Sequence, residues 1–457
     1  MDLEEYLSAL RGKRVAAIGA GVSNRPLIDL LLSHGADVTA CDKKPDLGAY
    51  GEELRRRGCR LQLGADYLKG LGNQDVIFRS PGVRPDLPEF LSAIANGARL
   101  TSEMEAFFDL CPCPKIAVTG SDGKTTTTTI IAKLLEAAGK RVHLGGNIGR
   151  PLLADTPDIR PGDVAVLELS SFQLMTMRKS PETAVVTNIS PNHLDVHKDY
   201  AEYIAAKENI FAHQNAENLA VFNADNAVTL EQSARAPGRV RLFSRRRELA
   251  DGVCLRGQDI VSRRDGKERV VMTTADIRLP GVHNIENYMA AIAAVDGLVP
   301  DEIIRKFARE FAGVEHRIEL VRTRNGVRWY NDSIASSPSR TIAGLNSFPE
   351  KVILIAGGKD KGISYKGLGP VVNDHVKYLI LCGATAGVIR ESVEAAENYR
   401  GLPVEEVGDY PSAVSLADSI AKPGDVVILS PASTSFDRFA NFAERGNVFK
   451  ELVNALP

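Results

Sequence analysis

Long apolar runs are missing from this chain: no stretch approaches the roughly 20 apolar residues that span a bilayer, so a membrane-embedded protein is not expected. The opening segment, MDLEEYLSALRGKR, is acidic before it is basic and has no uninterrupted apolar core, so a secretory signal is not expected either. A strong charge of one sign is missing too. Lys plus Arg number 56 against 58 Asp plus Glu, a formal charge of −2, which argues against a nucleic-acid partner. Cysteine is sparse: Cys41, Cys59, Cys111, Cys113, Cys254 and Cys382 contain no Cys-x-x-Cys pair, which excludes a disulfide framework and points to reduced thiols in the cytoplasm. Cys111-Pro112-Cys113 lacks the second cluster that a zinc site needs.

What is present is ordinary globular composition, 44% apolar and 25% charged, in a chain of 457 residues that is too long for one core. Two to four domains are expected. Apolar runs at 14–18, 37–41 and 75–78 alternate with helical patterns such as 26–34, which predicts a parallel sheet with helices on its faces. A proline-rich break at Cys111-Pro112-Cys113-Pro114 puts the first boundary near residue 105, before a short helix at 105–110. The second segment, 106–313, has strands at 116–119, 164–167, 184–187 and 219–222, then an antiparallel hairpin across 252–278 around Asp265-Gly266. Helices at 284–295 and 300–311 follow. The third segment, 314–457, opens with a hairpin at Asn325-Gly326, continues with strands at 352–355, 378–381 and 426–429, and closes on a long helix at 436–456. The expected fold is α/β in three domains: N-terminal Rossmann-like, central P-loop ATPase-like with a parallel sheet plus a small antiparallel part, and C-terminal Rossmann-like.

The strongest local signal is Ile116-Ala117-Val118-Thr119-Gly120-Ser121-Asp122-Gly123-Lys124-Thr125-Thr126. A buried strand runs into a glycine-containing loop, and a helix opens at Lys124. Backbone N–H groups and the helix dipole at such a turn hold phosphate oxygens, Lys124 neutralises the outer phosphates, and the Thr125 hydroxyl reaches a Mg²⁺ ion. Val118 stands where the usual pattern has its first glycine, so the loop is a shortened variant. The apolar strand 164–167 ends in Glu168, and parallel sheets present ligands at the carboxyl ends of their strands, so Glu168 is a candidate for the metal. The next strand leads to His193, a second candidate ligand, whereas His197 is read as structural. Gly19-Ala20-Gly21 after the first strand, with Asp42 ending the second, has the outline of a dinucleotide fingerprint, but Asn24 replaces the third glycine. This motif alone does not separate NAD from any other ligand carrying a diphosphate and a ribose, and an NAD-dependent oxidoreductase is the rival reading it allows.

The loop from Thr119 to Thr126 resembles that of the Mur ligases, ATP-dependent enzymes that build the peptidoglycan stem peptide. Leu167-Glu168-Leu169-Ser170-Ser171-Phe172-Gln173-Leu174 is similar to the stretch in the family's D-glutamate-adding members. The resemblance runs the length of the chain through Gly146-Asn147-Ile148-Gly149, Asn192-His193-Leu194-Asp195, Ala206-Lys207, Pro280-Gly281-Val282-His283-Asn284, Glu315-His316-Arg317, Asn331-Asp332-Ser333 and Ser430-Pro431-Ala432.

It implies an acid–amino-acid ligase of peptidoglycan precursor synthesis, and hence of cell shape and division. The enzyme would be a cytoplasmic monomer that joins D-glutamate to UDP-N-acetylmuramoyl-L-alanine through an acyl phosphate made with ATP. The first domain would hold the UDP substrate with Gly21, Val22, Ser23, Asp42, Lys43, Ser80, Pro81 and Gly82. ATP would lie against Gly120, Ser121, Asp122, Gly123, Lys124, Thr125, Thr126, Asn147, Asn284, Arg317 and Asp332, and Mg²⁺ against Thr125, Glu168, His193 and Lys207. Lys207, on a helix expected at 200–213, matches a lysine that the family carbamylates. Lys124, His193 and Lys207 would be the catalytic residues; deprotonation of the incoming ammonium by His193 competes with metal binding by the same ring. Lys361, Ser435 and Phe442 would hold D-glutamate, and the third domain would close over the reaction. The chain departs from the pattern at Ile334, where many relatives carry lysine, and at Ser336, where threonine is common. Two further rivals are a binding protein that closes on ATP without ligating anything and a sister ligase for another amino acid.

Overall fold

Five short runs in the first hundred residues, β1 (Arg14–Ile18), β2 (Asp37–Asp42), β3 (Arg60–Leu63), β4 (Val76–Arg79) and β5 (Arg99–Thr101), pair into one parallel sheet in the order β3-β2-β1-β4-β5. Val15 and Ala17 pack with Leu27, Ile28, Leu31 and Leu54, while Ala16 and Ile18 pack with Phe90 and Ala93. Alternate residues of β1 thus serve cores on opposite faces, which is why the run is apolar throughout rather than alternating. The computed structural model describes residues 1–21, 24–192, 196–279, 281–360 and 363–457.

The second sheet has nine strands: β6 (Lys115–Thr119), β7 (Val142–Gly146), β8 (Val164–Glu168), β9 (Thr183–Val186), β10 (Leu219–Asn223), β11 (Arg239–Ser244), β12 (Gly252–Arg256), β13 (Asp259–Arg264) and β14 (Lys267–Thr273). Their order is β14-β13-β12-β11-β10-β9-β6-β8-β7, parallel from β7 through β12 and antiparallel beyond. The hairpin expected at 252–278 is therefore a three-stranded meander, continuous with the parallel sheet through the β11–β12 pairing. The sequence reading had one turn where there are two: Asp265 and Gly266 both adopt positive φ as a tight hairpin turn requires, and Gly257 (φ +60°) turns the chain a second time.

The helix Glu103–Leu110 lies between these two sheets. Ser102 caps it by accepting from the Glu105 N–H. Ala106 and Leu110 belong to the core of the first sheet, and Met104, Phe107 and Phe108 to that of the second. Arg79, fully buried, adds a polar tie from β4 to the second-sheet layer by donating to the Phe172 carbonyl and to the Thr176 hydroxyl at 3.0 and 3.2 Å.

The third sheet orders β15 (Glu319–Arg324), β16 (Val327–Asn331), β20 (Val426–Leu429), β17 (Val352–Ala356), β18 (Val376–Leu381) and β19 (Val404–Glu406) as β15-β16-β20-β17-β18-β19. Only β15 runs antiparallel, through the predicted turn at Asn325 (φ +50°) and Gly326 (φ +77°). Trp329 and Phe449 fill one face, and Tyr330 and Phe348 the other.

Two helix ends differ from expectation. The last helix is Phe442–Ala455 rather than 436–456, because the Asn441 side chain accepts from the Glu444 N–H and starts the helix there. The helix Tyr200–Glu208 stops short of residue 213, and the Ser180 hydroxyl then donates to the Asn209 carbonyl. The chain forms two compact units, Met1–Asp276 with Ile285–Phe307, and Ile277–Asn284 with Ala308–Pro457. Among the described residues no helix is long and apolar enough to cross a membrane.

Candidate active site

β6 lies near the middle of the second sheet, between β8 and β9, and all five of its residues are buried. The chain leaves it at Thr119, turns through residues 120–123 and enters the helix Lys124–Ala137. Two glycines make that turn possible. A methyl group on Gly120 (φ +150°) would collide with the Thr187 hydroxyl, and one on Gly123 (φ +77°) with the Asn287 side-chain oxygen. The segment after β9 ties the turn down: the Ser121 N–H donates to the Asn188 carbonyl at 2.8 Å, the Asp122 N–H to the Asn188 side chain at 3.0 Å, and the Thr187 hydroxyl to the Asp122 carbonyl at 2.6 Å. Gly120→Ala is therefore expected to destabilise the protein by about 1–3 kcal/mol through strain and displacement of these contacts. Urea unfolding of the variant beside the wild type checks it, and equal midpoints would show the turn to be more pliable than this geometry implies.

Four side chains meet around the turn. Glu168, at the carboxyl end of β8 and almost fully buried, accepts from the Thr125 hydroxyl at 2.6 Å and from the Asn147 amide at 2.7 Å. Asn147 follows β7, and its own N–H donates to the Glu168 carbonyl at 2.7 Å. Gly146 (φ +93°) permits this approach, since a methyl group there would collide with that carbonyl. Lys124 Nζ donates to the Gly120 and Ser121 carbonyls, each at 2.9 Å.

Lys207 Nζ enters from the helix Tyr200–Glu208 and donates to the Gly120 carbonyl at 2.8 Å and to the Thr119 hydroxyl at 3.3 Å. It lies 4.7 Å from the centre of the Tyr203 ring, and the Tyr203 hydroxyl is 2.9 Å from Ser121 Oγ. Burial, reinforced by the charge of Lys124, holds the Lys207 ammonium well below the usual lysine range. A solvated helix lysine would show none of this.

Of the predicted residues, the structure brings Gly120, Ser121, Gly123, Lys124, Thr125, Asn147, Glu168 and Lys207 together; Asp122 belongs to the same turn with its side chain exposed, and Thr126 follows half-buried. His193 lies outside the described residues, as do Val22, Ser23 and Lys361. His197 is buried, 2.9 Å from the Ser171 hydroxyl and stacked on Phe172, and burial lowers its proton affinity. Sequence reasoning passed over Tyr203, Thr187, Asn188 and Asn287. Tyr203 stood four residues before Lys207, the spacing that puts two side chains on one helix face. The other three had no local signal.

At the first sheet, the loops after β1, β2 and β4 converge. The Gly19 N–H donates to the Cys41 carbonyl at 2.6 Å, and the Ser80 N–H to the Ile18 carbonyl at 3.0 Å. The Asp42 carboxylate accepts from the Ala20 and Lys44 N–H groups, each at 2.9 Å. Gly21, Lys43 and Gly82 are exposed beside it, and Ser80 and Pro81 half-buried. Asn24, in the third glycine's place, is buried and donates to the Ile18 and Gly19 carbonyls at 2.9 and 3.0 Å. Its amide thus fixes the loop by side-chain hydrogen bonds where the dinucleotide fingerprint uses close helix–strand approach. A small recess lined by Asn24, Arg79, Pro81, Gly146, Pro151 and Gln173 among others lies between these loops and β7.

In the second unit, Asp332 follows β16 and is buried beside the loop that follows β20. It accepts from the Ser430 hydroxyl at 2.8 Å and from the Ile318 N–H at 3.3 Å. Burial pushes its carboxyl up to about 7 against the opposing pull of Ser430 and Arg317. Arg317 is half-buried, Asn284 buried in the first turn of the helix Val282–Ala294, and Ser435 buried. Phe442 is 38% exposed and meets the His316 ring edge-on at 5.9 Å.

Among the described residues no three His, Cys, Asp or Glu side chains gather as a metal cluster. The neighbouring oxygens of Thr125 and Glu168 still suit Mg²⁺, a hard cation that takes one or two carboxylates and completes its shell with water and substrate phosphates.

A parallel sheet whose central strand ends in a glycine–lysine–threonine turn, with a carboxylate on the adjacent strand, defines a phosphate-loop α/β protein. Family models narrow that class: the Mur ligase middle domain matches residues 118–295, and the Mur ligase, glutamate ligase domain matches residues 316–433. The UDP-N-acetylmuramoylalanine–D-glutamate ligase of Acetivibrio thermocellus is 52% identical over 99% of both chains. That of Clostridium botulinum strain Langeland is 48% identical over 100% of this chain and 99% of its own length. The chain belongs to the Mur ligase family. Among solved structures, the UDP-N-acetylmuramate–alanine ligase of Thermotoga maritima matches with a TM-score of 0.58 at 18% identity, covering 97% of this chain and 99% of that one. A pseudomurein peptide ligase type C from Methanothermus fervidus matches with a TM-score of 0.54 at 19% identity, covering 97% and 99%. At such identities the likeness is one of fold.

Proposed function

We propose that the chain is an ATP-dependent ligase that forms the amide between the L-alanine carboxylate of UDP-N-acetylmuramoyl-L-alanine and the amine of D-glutamate, acting in the cytoplasm in peptidoglycan precursor synthesis. Full-length identity of about half to ligases named for that reaction is the observation that carries it. The cluster of Lys124, Thr125, Glu168, Asn147 and Lys207 at the phosphate turn supports it from the side of the chemistry.

A carboxylate is a poor acyl donor because its oxide leaves badly. Transfer of the γ-phosphoryl group of ATP makes an acyl phosphate and ADP; the amine then attacks and phosphate departs. The barrier is the approach of one anion to another. Lys124, at the head of the helix Lys124–Ala137, sets a positive charge against the outer phosphates, and the positive end of that helix's dipole adds to it. Thr125 and Glu168 would hold Mg²⁺, which supplies further positive charge to a triphosphate.

Lys207 as an ammonium would repel a cation. Its depressed proton affinity favours a nitrogen lone pair that takes up CO₂, and the carbamate so formed would be an anion whose oxygens could help hold Mg²⁺. The loops after β1, β2 and β4 form the seat for the UDP end, and Asp332, Arg317 and Asn284 contribute to the nucleotide. Ser435, Phe442 and Lys361 contribute to D-glutamate.

The test is phosphate release with a panel of D- and L-amino acids. Release is expected only with ATP, UDP-N-acetylmuramoyl-L-alanine and D-glutamate together. Release without the amino acid would point to a binding protein that hydrolyses ATP, and preference for another amino acid to a sister ligase.

A further inference from the structure

Cys111-Pro112-Cys113 joins the end of the helix Glu103–Leu110 to β6, the strand that leads into the phosphate turn. The two sulfurs lie 3.5 Å apart and share a hydrogen bond, and Cys111 Sγ also faces the Cys113 carbonyl at 3.7 Å. Cys41 and Cys59, by contrast, turn their thiols toward the carbonyls of Thr39 and Arg60. Lys115 Nζ, held 3.5 Å from Glu182, donates to the Cys113 carbonyl at 3.1 Å and brings a positive charge close to the pair. Both residues are buried, Cys111 at 9% exposure and Cys113 at 1%, so the less covered Cys111 is the one that a small local opening of the segment reaches first.

We propose that Cys111 and Cys113 are a reversible dithiol–disulfide site that exchanges with low-molecular-weight disulfides. The geometry carries this. A disulfide needs its sulfurs about 2.05 Å apart, a closing of roughly 1.5 Å that the side-chain torsions of two cysteines flanking one residue can supply with a small backbone shift. A ring closed over one intervening residue is tight, and strained disulfides are the ones readily reduced again.

The shared hydrogen bond also eases loss of the first proton, since the remaining S–H donates to the thiolate: Cys111 is pulled down to about 7 and Cys113 pushed up. In the reaction, the Cys111 thiolate attacks one sulfur of R–S–S–R and expels RS⁻, leaving Cys111 as a mixed disulfide. Cys113 then gives up its proton, and its sulfur attacks Cys111 and expels the second RS⁻. One protein S–S bond forms, two S–H bonds are lost, and two electrons and two protons reduce R–S–S–R to two RSH. The new bond would tie a helix that packs on two sheets to the foot of β6.

The test uses the full chain equilibrated across ratios of oxidised to reduced glutathione, acid-quenched, alkylated and mapped by mass spectrometry. Oxidising ratios are expected to give a species about 2 Da lighter, with both alkyl groups missing from the peptide that holds Cys111 and Cys113, restored by dithiothreitol. Cys113→Ser should stop at one glutathione on Cys111, and Cys111→Ser should take up at least tenfold less. Full alkylation of both thiols at every ratio, a mixed disulfide that never resolves in the wild type, or a bond between other cysteines would each overturn the proposal. The wild-type measurement decides even where a variant folds poorly.

Discussion

Lys124→Ala is expected to lower turnover about a thousandfold or more, a loss of roughly 4 kcal/mol of transition-state stabilisation, with little change in unfolding midpoint. The reasoning starts from charge. A γ-phosphoryl group moving between two oxygens carries negative charge that grows on its neighbours, and a fixed cation in a partly buried turn meets that charge without reorganising. Lys124 Nζ lies against the Gly120 and Ser121 carbonyls, within the turn where those phosphates are expected. Its side chain is half-buried at the head of a helix whose core contacts come from Ile130, Ile131, Leu134 and Leu135, so folding should survive its loss. Steady-state phosphate release and thermal unfolding, measured side by side, check both halves. Near-normal turnover would detach the phosphate turn from the chemistry.

Lys207→Ala should cost as much, for a different reason, and carbon dioxide separates the two. Carbamate formation joins a neutral amine to CO₂ and releases a proton, so it needs a nitrogen lone pair and is favoured by rising pH. An ordinary lysine offers few such lone pairs near neutrality. Lys207, buried and facing the charge of Lys124, is shifted toward the neutral amine and so offers more. The wild type stripped of CO₂ should lose most of its activity and regain it on addition of bicarbonate, with the deeper loss at lower pH. Labelled bicarbonate should give a carbamate carbon signal that Lys207→Ala lacks. Lys207→Arg keeps a cation but forms no carbamate, and should be as inactive as the alanine variant. Rates indifferent to bicarbonate would remove the modification from the mechanism.

The parallel strands were legible because burial on both faces leaves apolar runs with abrupt ends, and the ends carry the candidate site residues. The run at 164–167 stops at Glu168 and the run at 116–119 at Gly120, and both residues reached the site. β7 was missed: it is an edge strand of five residues, only half-buried and closing on two glycines, so its composition reads as loop. Its position matters, since it delivers Asn147 to Glu168. The hairpin at 252–278 was read with too few turns because Gly257 adopts positive φ without an adjacent Asn or Asp to advertise it. The last helix was drawn six residues early because Phe436 and Phe439 continue a helical period that Asn441 interrupts only through its cap. Thr187, Asn188 and Asn287 were invisible for a deeper reason. They hold the phosphate turn from 65 to 160 residues away, and such pairing exists only once the sheet is assembled.

The helix Glu103–Leu110 also bears on how a protein of this kind is inherited. Its Ala106 and Leu110, together with Leu153 from the second-sheet layer, complete the apolar interior of the first sheet. A recombination event that kept the later layer and discarded the earlier would leave those side chains in water, and the reverse event would strand Leu27 and Ile28 beneath a missing lid. The opening 275 or so residues therefore resist shuffling as separate modules and are best suited to passing between lineages as one heritable block.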